Sequence, residues 1–177
     1  MQTPLDATGW QQHLWRNTLT NGVTNALANG LICWLLFQGK ASLELWNASG
    51  GFAADLLATG FLLALIVTLI VLPIQRKQLK PGSINAGVLS ASSPLTRPLI
   101  GVTESLLSAV VLAALLGLVA AAGTLLILQI LCVHSFSAVY YSVFKGLWTG
   151  LFSGALAYLI ITLTGHRSYE LPCTKNN

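Results

Sequence analysis

Residues 52–72 read FAADLLATGFLLALIVTLIVL, and in those 21 positions the only charge is Asp55, near one end. An α-helix rises about 1.5 Å per residue, so roughly 20 apolar residues cross the hydrocarbon of a bilayer. Two further stretches, Leu106–Leu131 and Gly146–Leu163, are of comparable length and carry no Asp, Glu, Lys or Arg. A helix on the surface of a soluble protein would alternate its apolar stripe with charges. Only 8% of the 177 residues are charged and 54% are hydrophobic, with mean hydropathy +0.72, which sets the chain apart from disordered and ordinary soluble proteins. The expected class is an all-α integral membrane protein.

A fourth helix is expected first in order, over residues 12–37. Asn17, Asn21, Asn25 and Asn29 recur there every four residues, preceded by His13 and followed by Cys33. Residues four apart are neighbours on one helix face, so the amides form a slowly spiralling stripe, widened by Thr18, Thr20 and Thr24. The other side carries Trp15, Leu19, Val23, Ala26 and Leu27. In hydrocarbon an uncovered amide is costly, so the stripe is expected to face protein as interhelical hydrogen bonds, or to line a path for a polar solute. A helix lying obliquely at the membrane surface is the remaining alternative.

The expected architecture is one membrane domain over residues 1–177, a compact bundle of four transmembrane helices arranged as two helical hairpins. Helices are expected at 12–37, 52–73, 98–131 and 138–164, with a loop at 74–97 rich in Ser, Gly and Pro. Ser49 or Gly50-Gly51 would start the second helix, Pro73 would end it, and Pro98 suits the first turn of the third. The connection at 132–137 is short enough to force an antiparallel pair.

Basic residues orient the bundle. Arg76, Lys77, Lys80 and Arg97 fall in the long loop, and its placement in the cytoplasm brings Arg16, Arg167 and Lys175 to that side, against Lys40 and the boundary residue Lys145 outside. Both termini are then expected in the cytoplasm, in a membrane of the bacterial inner type. Met1–Trp10 has no basic cluster followed by a short apolar core, so a cleaved signal is not expected, nor is lipidation.

Two small-residue rows stand out: Gly146, Gly150 and Gly154 in the last helix, and Ala109, Ala113, Gly117 and Ala121 in the one before. Such rows let backbones approach closely, and the expectation is that these two helices pack on each other, or that a row serves an oligomer. Asp55 and Lys145 both fall near the outer boundary, where a lone charge is costly; they are expected either to pair or each to snorkel to water, and Asp55 alone also suits the N-terminus of its helix. Glu104 is expected in the first turns of the third helix, stabilising its N-terminus or pairing with Arg97.

The three cysteines, Cys33, Cys132 and Cys173, imply no disulfide framework, and His13, His134 and His166 are scattered, so neither metal nor cofactor is expected. There is no Gly-rich phosphate loop, His-Glu-x-x-His run or Gly-x-Ser-x-Gly elbow, and the net charge of +4 comes from scattered residues rather than a nucleic-acid patch. Asn47-Ala48-Ser49 is a glycosylation sequon close to the bilayer that would matter only in a secretory-pathway host, and its use is not expected because three-residue matches arise often by chance. The expected partners are the bilayer and other membrane helices, from a second copy or from other subunits. The functional expectation is a non-enzymatic accessory or assembly subunit working through helix contacts, with a small oligomeric transporter or channel as the alternative.

Overall fold

The computed structural model describes residues 5–47, 51–79, 83–84 and 96–170. It is helical: α1 (Ala7–Phe37), α2 (Phe52–Gln78), the short α3 (Thr96–Val102), α4 (Leu106–Ile130) and α5 (Ala138–Glu170), with two-residue strands β1 (Leu43–Glu44) and β2 (Ser135–Phe136). Three helices, α2, α4 and the Ala138–His166 part of α5, are long and apolar enough to cross a membrane.

α1 begins earlier than expected because Asp6 caps it, its carboxylate accepting from Gly9 N at 2.7 Å. α2 does not stop at Pro73 but continues through it to Gln78. The ring removes one backbone bond, a loss that packing on both sides of an apolar helix can absorb. The continuous helix expected over 98–131 is two. Thr103 and Glu104 turn back onto the carbonyls of Ile100 and Gly101, and Ser105 caps α4 by accepting from Ser108 N. A Thr-Glu-Ser run favours such side-chain and turn bonds over helix continuation. Glu104 is consequently an exposed residue of this turn, not of a helix. The Ser49 cap, the Arg97 and Arg167 side chains, Cys173 and most of the 74–97 loop lie outside the described residues.

Neighbours along the chain are not the principal neighbours in space. α1 packs along α5, α5 on α2, and α2 on α4, while α1 and α2 hardly touch. The two hairpins expected from sequence are therefore replaced by an arrangement centred on α5. β1 pairs antiparallel with β2, Leu43 opposite Phe136 and Glu44 opposite Ser135, so the α1–α2 and α4–α5 connections meet at one end. At the other end Leu5 bridges to Ile84.

The core divides accordingly. An aromatic cluster of Phe52, Phe136, Tyr141 and Phe144 fills the strand end, with Cys33, Leu45, Leu56 and Leu125. Trp10, Leu14, Leu63, Leu72, Leu156 and Ile161 fill the other. Outward residues are as apolar as the core: Leu151 is 77% exposed, Leu107 73% and Leu27 69%. In water such a surface would aggregate, whereas facing hydrocarbon it costs nothing.

Candidate functional site

The α1–α5 interface is built from small residues. Gly22, Ala26 and Gly30 of α1 run antiparallel against Gly154, Gly150 and Gly146 of α5. A Cβ on Gly146 would lie 2.9 Å from the Ala26 carbonyl oxygen, and one on Gly150 2.8 Å from the Ala26 Cβ. The second row does the same elsewhere: Gly117 meets Gly60 of α2 backbone to backbone, with Ala121 beside it. Both rows thus pack within the chain, but not on each other as expected. Each found a small-residue row on a different helix, where the approach can be closer still.

Hydroxyls of α5 reinforce this seam. Thr149 Oγ1 bonds within α5, to Lys145 O at 2.8 Å, and lies 3.3 Å from the Asn25 carbonyl oxygen. Ser153 Oγ is likewise 3.2 Å from Gly150 O and 3.3 Å from Asn21 O. Both side chains are fully buried.

The asparagines occupy one flank of the seam. Their side chains do not bond across helices. Asn17 Nδ2 donates to His13 O at 2.7 Å, Asn21 to Asn17 O at 3.0 Å, Asn25 to Asn21 O at 2.9 Å and Asn29 to Asn25 O at 3.0 Å. Each amide folds back along its own helix, leaving its carbonyl oxygen and second N–H without a bond among the described residues. All four are half-buried. The other flank of the seam is an apolar groove of about 560 Å³, walled by Trp15, Leu19, Val23, Leu147, Leu151 and Tyr158 and floored by Gly22, Gly150 and Gly154.

Asp55 and Lys145 are brought together where α2 meets α5. Lys145 Nζ donates to Asp55 Oδ1 at 2.7 Å and to Oδ2 at 2.6 Å, and the Tyr141 hydroxyl donates to Oδ2 at 2.5 Å. The Lys145 side chain is 6% exposed and that of Asp55 29%, because the carboxylate opens onto a cavity of about 210 Å³ lined also by Lys40, Glu44 and Phe52. At the opposite end, His13 Nε2 donates to Gln75 Oε1 at 2.9 Å, one of the few ties between α1 and α2. Arg76 donates there to the Thr103 carbonyl.

A polar line therefore runs the length of the bundle, from His13 and Gln75 past the asparagines and the α5 hydroxyls to Lys145, Asp55 and Tyr141. Its α5 half was legible in the spacing of Ser142, Lys145, Thr149 and Ser153, polar residues three or four apart inside an apolar stretch. The seam on α1 was equally legible, since Gly22, Ala26 and Gly30 each follow an asparagine. Cys33 is buried and Cys132 exposed, both as free thiols. Among the described residues no three His, Cys, Asp or Glu side chains converge.

No protein-family model, curated protein or solved structure matches this chain. The functional reading rests on the geometry.

Proposed function

We propose that the protein is a small multi-pass membrane protein that works as an accessory or assembly subunit, through helix contacts made by α1. The observation that carries this reading is the asparagine row. Four amide carbonyls and four N–H groups, half-buried and unspent, lie on a helix packed along a candidate membrane span. In hydrocarbon such groups are stable only when covered by protein or water. A partner helix covers them at no cost in solubility.

The same reading makes α1 the fourth span. Its 31 residues give a length of about 46 Å at the usual helical rise, more than a bilayer's hydrocarbon, and it follows α5 antiparallel from Trp10 against Gly165 to Gly30 against Gly146. The basic residues then set both termini and the α2–α4 connection in the cytoplasm of a cell with a bacterial-type inner membrane.

Purification in mild detergent tests the proposal. A partner chain held in fixed ratio, whether a second copy or a different polypeptide, and lost from Asn21→Leu and Asn25→Leu variants that still fold, supports it. A protein that elutes alone as a monomer with full stability opposes it.

One observation favours a second reading, transport of a polar solute: the row adjoins the Thr149 and Ser153 hydroxyls and leads to the Lys145–Asp55 pair. Under that reading water covers the amides, and Asn21→Leu or Asn25→Leu abolishes flux while assembly persists.

A further inference from the structure

We infer that the occupant of the asparagine row is the same row on a second copy of this chain, so that α1 forms a two-fold homodimer seam. The inference rests on the subunit reading above and names its partner.

Each asparagine side chain offers two N–H donors and a carbonyl oxygen. One donor is spent on the carbonyl four residues back in every case, at 2.7–3.0 Å. What remains among the described residues is one donor and one acceptor per side chain, repeated over Asn17, Asn21, Asn25 and Asn29. That set is complementary to itself. Under a two-fold axis the carbonyl of one copy accepts from the free N–H of the other, and the reverse bond forms by symmetry.

Other occupants fit less well. An apolar helix or a lipid chain offers no hydrogen bond and leaves both groups unsatisfied. A helix with a charged row would surrender solvation to neutral amides that return only a dipole. A different polar helix would need the same four-residue spacing over about 18 Å of rise.

Position also favours a copy. The row lies on the flank of the seam away from the apolar groove, and among the described residues α2 bonds to that flank only at the His13 end, through Gln75.

The test uses the full-length protein in its native membrane, with Cys33→Ala, Cys132→Ser and Cys173→Ser as the background. Asn25→Cys should yield a disulfide-linked homodimer on mild oxidation, and Val23→Cys, on the groove flank, should not. Independently, the double variant Asn21→Leu/Asn25→Leu should weaken dimerisation in detergent about fifty-fold, the effect of losing four interhelical hydrogen bonds of ordinary strength, with helical content unchanged. Equal cross-linking at both positions, or an unaltered dimer constant, overturns the inference. Cross-linking of position 25 to a different chain also overturns it, while leaving the subunit reading intact. Should position 25 link to nothing, the inference falls; if single cysteines at all four positions of the row also react with a water-soluble thiol reagent, the subunit reading falls with it and the transport reading replaces both.

Discussion

Lys145 sits beneath Asp55 and grips both its carboxylate oxygens, at 2.7 and 2.6 Å, yet the two residues are unequally shielded. The lysine is 6% exposed at the side chain and the aspartate 29%, with a cavity at its back. A charge left without its partner is therefore worse placed in one case than in the other.

That asymmetry predicts unequal variants. Asp55→Leu strands a buried ammonium and should cost on the order of 3–5 kcal/mol, about 10 °C in thermal midpoint. Lys145→Met leaves a carboxylate that still accepts from Tyr141 and can reach water, so it should cost clearly less. The double variant Asp55→Leu/Lys145→Met should recover most of the loss. Thermal unfolding in one detergent, followed by circular dichroism, ranks the three; equal losses from both single variants would contradict the geometry.

The glycine seams predict a sharp contrast between sites of one residue type. Gly150→Leu pushes against the Ala26 side chain and the Gly22 carbonyl, 2.8 and 3.0 Å from a first added carbon. It should destabilise by at least the 1–3 kcal/mol typical of overpacking, and lower the protection of α1 from proteolysis. Gly123→Ala, with nothing within 4 Å of the new carbon, should be neutral or stabilise by about 0.5–1 kcal/mol through helix propensity.

Gln75 is 2% exposed and meets His13, which ties α1 to α2 at the end remote from the strands. His13→Leu should leave the buried amide oxygen without its donor, at about 1–3 kcal/mol. Hydrogen exchange should then rise first over Trp10–Asn17, with the Lys145 end of the bundle unchanged.

The proposed sidedness is checked by cysteine accessibility. In intact cells, and in a background lacking the native cysteines, an impermeant thiol reagent should label Glu44→Cys in β1 and spare Lys77→Cys in the last turn of α2, both exposed positions at opposite ends of the bundle. The reverse pattern would invert the orientation drawn from the basic residues.

Much of this molecule was readable before its structure. Runs such as 52–72 have one helical interpretation, because backbone groups in lipid must bond within the segment and the length matches a bilayer. The asparagine repeat was equally plain, but its bonding was not. Sequence reading aimed those amides at other helices, and each turned back to the carbonyl four residues before it, a short-range competitor always within reach. The break at Thr103–Ser105 and the passage of α2 through Pro73 were missed for a related reason: local signals for stopping are weak when surrounding packing can supply or forgive a bond.

Period, length and charge are properties of a segment alone, and so the chain by itself determined that it is helical, where its apolar spans lie and which faces are small or amide-bearing. Which small face meets which is a property of pairs. Gly146, Gly150 and Gly154 could have met Ala113, Gly117 and Ala121, since close approach rewards any two smooth surfaces. Only the tertiary structure matched them instead to Gly22, Ala26 and Gly30, because backbone contact is nearest where both sides lack side chains.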